Sequence, residues 1–187
     1  MVDTRPRMTE EEFMALPDDG RKYELVDGEA KEVPTGGRHG RLEMRIGRLI
    51  GPFADEHGEM FGASTGFRMA GGNIRCPDVS FMRFERLPGG EAPEWFVDGA
   101  PDLCVEIISP SEDRRDARRK VGEYFESGAA QVWHVFPETR QVTVYTSLED
   151  ARTFTEDETL DAGAVLPGLR FRVADLFESP PPGAESV

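Results

Sequence analysis

Two stretches of the chain are short, apolar and rich in β-branched residues. Leu103-Cys104-Val105-Glu106-Ile107-Ile108, entered at Asp102, is one, and Gln131-Val132-Trp133-His134-Val135-Phe136 is the other. Runs of that length and composition predict buried strands. Between them Ser109-Pro110-Ser111 stops the first strand. A helix follows, with Ser111 as the expected N-cap, Glu112 and Asp113 in its first turn and Gly128 as its stop. At about 100° per residue, Ala117, Val121, Tyr124 and Phe125 share one apolar arc of that helix. Arg115 and Arg119 point away from it, and Lys120 falls at its edge.

The rest of the chain gives a compatible set of elements. Thr9 and Glu12 form a capping box that opens a short helix running to about 16. A strand over 22–26 turns back at Asp27-Gly28, a two-residue hairpin signal, into a strand over 29–33. By alternation Glu24 shares a face with Lys22 and Val26, the usual place for a solvated edge residue. After a loop at 34–37, Leu42, Ile46, Leu49, Ile50 and Phe53 recur at helical spacing, predicting a helix over 38–57 with a kink at Pro52. His39 in its first turn reads as a surface or capping residue. Strand material over 59–69, a turn at 71–73 and a strand over 74–82 come next. Pro77 inside that strand suggests an edge, a bulge or a strand entry. Segment 85–99 reads as a loop whose Trp95 and Phe96 are either a core anchor, the favoured reading, or a substrate contact. Further strands are expected at 141–145 and 152–155, turns at 137–140 and 166–169, and a closing helix at 173–177. Alternating strands and helices with no internal linker make this an α/β (α+β) chain. It reads as one domain over 8–177, after an extension at 1–7 and before a disordered tail at 178–187.

At 187 residues the chain is long enough for a single domain with a substantial core. No run of about 18 apolar residues is present, so no membrane span is expected. The N-terminus lacks the apolar segment of a secretory signal. Two cysteines, Cys76 and Cys104, make no disulfide framework, and a cytoplasmic location is the expectation. His39, His57 and His134 show no zinc-ligand spacing. The net charge of −14 speaks against broad, non-specific nucleic-acid binding, while leaving room for a local basic groove or a metal-bridged phosphate contact.

Candidate chemistry comes from charges in places that do not suit them. Glu106 interrupts an apolar strand, and an ionised carboxylate there is costly unless it is paired or holds a metal. Asp78 lies 28 residues earlier, and Lys120 lies 14 residues beyond Glu106 on the inner side of its helix. The chain has three lysines (Lys22, Lys31, Lys120) against nineteen arginines. Lys120 is thus either a snorkelling side chain or a compact charge chosen over arginine for the site. Two acids with carbonyls and water suit a hard cation such as Mg²⁺ or Mn²⁺, which activates water and polarises phosphoryl oxygens.

The order Pro77-Asp78, Glu106 and then a lysine resembles the PD-(D/E)XK nuclease superfamily. More closely, the chain resembles the Uma2 family. The matching segments are MTEEEFMALPDDGRKYELVDGE, the HG pair at His39, RCPDVSFM, the run from Ala100 to Tyr145 and LPGLRFRVADLF. The resemblance spans 8–177. It implies a restriction-endonuclease-like core, a mixed β-sheet flanked by helices with an N-terminal helix and hairpin. Its implied activity is a metal-dependent endonuclease acting on DNA, with Mg²⁺ or Mn²⁺ held by Asp78, Glu106 and the Ile107 carbonyl. In the superfamily the lysine follows the glutamate by two residues. Ile108 stands there in this chain, and the resemblance moves the role to Lys120. Glu24 becomes an added acid near the metal, with Tyr23 a weaker candidate and Asp102 a decoy. A homodimer is implied as well, since related nucleases pair to cut both strands. The alternative is a non-catalytic interaction module that keeps the fold. Arg114, Arg115, Arg118 and Arg119 are either a phosphate-facing stripe or a solvated helix face. Cys104 as a nucleophile is a poor third reading, because no histidine is suited to activate it.

Overall fold

The computed structural model describes residues 7–17, 19–33, 36–110 and 112–178. Residues 1–6 of the expected extension, 179–187 of the expected tail, and Ser111, the expected N-cap, lie outside the described residues. In chain order the elements are α1 (Glu10–Met14), β1 (Tyr23–Val26), β2 (Glu29–Glu32), α2 (Gly37–Ala54), β3 (Gly58–Gly62), β4 (Phe67–Arg68), β5 (Ile74–Arg75), β6 (Val79–Arg83), β7 (Val97–Asp98), β8 (Leu103–Ile107), α3 (Arg114–Glu126), β9 (Gln131–Phe136), β10 (Gln141–Tyr145), β11 (Ala151–Phe154), β12 (Thr159–Asp161), β13 (Arg170–Arg172) and α4 (Ala174–Phe177).

The two apolar runs become the centre of a six-stranded sheet of order β11-β10-β9-β8-β6-β3. β8 and β9 are parallel, with α3 as their crossover, and the other neighbours are antiparallel. Alternation along β8 sorts its side chains between two cores. Leu103, Val105 and Ile107 pack with Leu42, Ile46 and Ile50 of α2 and with Leu160, Phe171 and Leu176 near the C-terminus. Cys104 packs with Val121 and Tyr124 of α3. Glu106 therefore faces α3. A second sheet of order β2-β1-β5-β4-β7 carries a third cluster, in which Phe13 of α1 meets Leu25 and Ile74. β12 and β13 form a separate hairpin.

The expected strand over 74–82 is two strands in two different sheets. Pro77 has no N–H to extend a ladder. The Cys76 amide donates to Glu24 Oε1 at 3.0 Å, and the Asp78 amide donates to the Val105 carbonyl at 3.0 Å. The chain thus crosses between sheets at Cys76-Pro77-Asp78. Smaller corrections follow. α3 begins at Arg114 with Asp113 as its N-cap, its side chain accepting from the Arg115 amide. α2 starts at Gly37, continues through Pro52 and ends at Ala54. The short strands β12 and β13 were not anticipated. Trp95 is 64% exposed, so it anchors nothing. Phe96 takes that role, with its ring 6.1 Å from Phe13.

Candidate active site

β6 and β8 pair with Val79 opposite Val105. One further step of this register sets Asp78 against Glu106. Both are buried. The Ile107 amide donates to Asp78 Oδ2 at 2.8 Å, which fixes that carboxylate and leaves Oδ1 facing the cleft. Oδ1 lies 3.0 Å from His39 Nε2 and 3.7 Å from Lys22 Nζ. Burial would raise the Asp78 pKa, but His39, the Ile107 amide and Lys22 together hold it below the ordinary carboxylate range. Glu106 has the opposite balance. Burial, with the charges of Asp78 and Glu24 beside it, pushes its pKa up to about 7 against the pull of Lys120. Tyr124 Oη donates to Glu106 Oε1.

Lys120 lies at the inner edge of α3. Its Nζ is 3.2 Å from Glu106 Oε2 and 3.2 Å from Glu24 Oε1. Burial favours the neutral amine, but Glu106 and Glu24 outweigh it and raise the pKa, so the side chain is an ammonium. Glu24 is buried rather than a solvated edge residue. Its oxygens are engaged by the Cys76 amide, by Lys120 and by Arg75, whose Nη1 is 3.0 Å away. Arg75 in turn holds Glu123 of α3 at 2.7 Å. The ladder Glu123–Arg75–Glu24–Lys120–Glu106 joins the two sheets through α3.

The structure adds three residues that the sequence had not singled out for the site. His39 and Glu43 lie one turn apart on α2, 3.2 Å apart at Nε2 and Oε1. One donor atom from each, with one from Asp78, lies within 4.8 Å of the other two. The His39–Asp78 contact is short yet not aligned as a hydrogen bond, and among the described residues His39 Nε2 and Glu43 Oε1 are buried without a hydrogen-bond partner. The adjacent Asp78 carboxylate raises the His39 pKa against the effect of burial. Lys22, which also donates to the Cys76 carbonyl at 2.9 Å, is the third. The i,i+4 spacing of His39 and Glu43 was the available signal, although nothing in it points to Asp78.

Lys22, Glu24, His39, Asp78, Glu106 and Lys120 line a cleft of about 310 Å³ that also includes Ile107 and Glu112. The weaker candidates fall elsewhere. Tyr23 Oη bonds Asp19. Asp102 is buried and held by Arg83 and Arg86. Cys104 is fully enclosed, and burial raises its thiol pKa well above normal. On α3, Arg119 pairs with Asp27 and Glu123, and Arg118 donates to the Leu148 carbonyl.

Comparison with known proteins agrees with this architecture. The family model Uma2, described as "Putative restriction endonuclease", matches residues 10–174. A solved structure from Anabaena variabilis, titled as a "putative nuclease belonging to DUF820", superposes with a TM-score of 0.80 at 22% identity. The match covers 91% of this chain and 97% of that one. It shows that the fold is shared. No protein with a curated description matches.

Proposed function

The chain belongs to the Uma2 family of restriction-endonuclease-like proteins, and from that premise we propose that it is a metal-dependent endonuclease hydrolysing phosphodiester bonds in DNA. The observation that carries this reading is the pairing of Lys120 with Glu106 and Glu24 beside Asp78, which the β6–β8 register sets against Glu106, at the crossing between two sheets.

The donor set suits a hard divalent cation. It offers carboxylate oxygens and an imidazole, with His39 Nε2 and Glu43 Oε1 buried and without a hydrogen bond among the described residues, and it includes an acid whose pKa is raised by burial and by the carboxylates of Asp78 and Glu24. Asp78, Glu106 and the Ile107 carbonyl would hold Mg²⁺ or Mn²⁺, with His39 and Glu43 beside Asp78. When bound, the ion supplies Lewis acidity to a phosphoryl oxygen and acidifies water.

The protein's own groups supply the rest. Lys120, kept charged by two carboxylates, donates to the phosphoryl oxygens as negative charge develops on them. Glu24 aims Lys120 and acts on the site through it. Tyr124 fixes the Glu106 carboxylate, and the Ile107 amide fixes Asp78. One such site cuts one strand at a time, so cutting both strands of a duplex calls for two copies, which is the case for a homodimer.

The test is incubation of purified protein with linear, supercoiled and single-stranded DNA in Mn²⁺ or Mg²⁺, beside Asp78→Asn and Lys120→Met. Cleavage is expected from the wild type. A fall of roughly 100-fold or more is expected in both variants, as for loss of a group that stabilises transition-state charge. Absence of cleavage on all substrates, together with no Mn²⁺ binding by calorimetry, would move the protein to the interaction-module reading.

A further inference from the structure

In a chain of net charge −14, a polyanion needs a local exception, and α2 is one. Between Gly37 and Ala54 it carries Arg38, Arg41, Arg45 and Arg48 against a single acid, Glu43. Glu43 and His39 lie on the inner side, at Asp78. At about 100° per residue the four arginines fall within roughly 80° of arc on the outer side. Arg38, Arg41 and Arg48 are exposed.

What distinguishes this stripe from the one on α3 is that α3 interleaves its arginines with Asp116, Glu123 and Glu126, whereas α2 carries Glu43 alone. Among the described residues no carboxylate pairs with Arg38, Arg41 or Arg48. Arg45 reaches the Leu176 carbonyl at 3.4 Å, and burial, Arg41 and Arg48 all lower its pKa. Like charges one turn apart weaken a helix. On α3, by contrast, Arg119 is neutralised by Asp27 and Glu123.

The stripe also leads to the site. Arg41, Glu43, Met44, Arg48, Phe61 and Asp78 line one groove between α2 and β3, with Glu43 at its Asp78 end. Met44 is 75% exposed within it. From Arg38 to Arg48 the helix advances about 15 Å at 1.5 Å per residue. That is the length of about four base-pair steps at 3.4 Å.

We propose that the outer face of α2 and this groove are the track on which DNA lies, with the arginines on backbone phosphates and Met44 against the sugars. The strand then reaches the cleft at Asp78. This rests on the endonuclease reading and adds where the substrate sits.

The test is fluorescence anisotropy of a labelled 30-base-pair duplex (a length of about 100 Å) over a range of salt, with Ca²⁺ replacing Mn²⁺ to slow hydrolysis. Two double variants are compared, Arg41→Gln with Arg48→Gln on α2, and Arg114→Gln with Arg115→Gln on α3. The α2 variant is expected to bind at least tenfold more weakly at moderate salt. Its slope of log affinity against log salt should shrink by about 2, one unit per lost phosphate contact. The α3 variant should stay within about twofold of the wild type, as expected where binding does not use those groups. Unchanged Mn²⁺ calorimetry of the α2 variant shows that fold and metal site are intact. Wild-type affinity and slope in the α2 variant, or an equal loss in the α3 variant, overturns the track while leaving the endonuclease reading standing. A wild type that neither binds nor cuts DNA overturns both.

Discussion

Glu106 and His134 are register partners across β8 and β9, and burial shifts them in opposite directions. The Glu106 pKa rises from 4.5 to about 7 in the fold. A raised acid favours the native state when protonated, so its contribution is greatest below pH 4.5 and is lost as pH rises through 7. Burial, and then Lys120, lower the His134 pKa from 6.5 to about 4. The unfolded chain then takes the proton first, and stability is lost as pH falls from 6.5 toward 4. Each effect amounts to about 3 kcal/mol at 1.36 kcal/mol per pKa unit, and in the metal-free protein they offset. Removing one exposes the other. In EDTA, His134→Phe should gain stability relative to wild type as pH falls from 7 to 5, and Glu106→Gln should lose it over the same range. Urea melts at pH 5, 6, 7 and 8 check this, and variant profiles parallel to the wild type would refute the burial account. The sequence made Glu106, Asp78 and Lys120 legible because each is a charge where the local pattern calls for an apolar residue or for arginine. His39, Glu43 and Lys22 each sit where a solvated side chain is ordinary. Only the packing of α2 against the sheet, and the crossing at Pro77, bring them to Asp78.

At the scale of elements, α3 delivers Lys120 and Tyr124, and its start fixes their register. Asp113 caps it. Asp113→Ala should cost about 1 kcal/mol, and Asp113→Ser should recover most of it. Urea denaturation measures both, and an equal loss in the two variants would mean that the side-chain cap is not what matters. The same helix shows where element prediction works. Its apolar arc was readable because four positions repeat at one period, and β8 and β9 because both faces of each are buried. The shorter elements gave no comparable signal. β12 and β13 have three residues each, too few for alternation to show. The run 74–82 looked continuous because Ile74, Val79 and Phe81 are all core residues. They enter different cores, since Ile74 packs with Phe13 while Val79 and Phe81 pack against α2. Trp95 failed as an anchor because hydrophobicity alone does not say which of two adjacent aromatics turns inward.

The candidate site sits where the two larger sheets meet, and that seam is ionic at its β1–β5 end and apolar at its β4–β7 end, where Phe67 and Val97 pack with Cys104, Val121 and Tyr124. At the β1–β5 end Leu25, Ile74 and Phe13 form only a small apolar cluster, whereas the six-stranded sheet has extensive cores on both faces. Arg75 spans the joint, bound to Glu24 on β1 and to Glu123 on α3, and is itself buried. Arg75→Met removes one of the partners of the buried Glu24 carboxylate and one of those of Glu123. Breaking a buried pair from one side costs about 3–5 kcal/mol. The loss should fall unevenly, because the larger sheet does not depend on Arg75 for its packing. Amides of β1 and β5 should lose hydrogen-exchange protection while those of β8 and β9 keep most of theirs, the mark of sub-global opening. Arg75→Lys should restore only part of the protection, since one ammonium cannot reproduce the fork that holds Glu24 and Glu123 together. Glu24 and Lys120 would loosen with the smaller sheet, so Mn²⁺ affinity should fall in Arg75→Met even though this arginine is outside the proposed ligand set. Uniform loss of protection across both sheets would instead show that the seam and the core unfold as one unit.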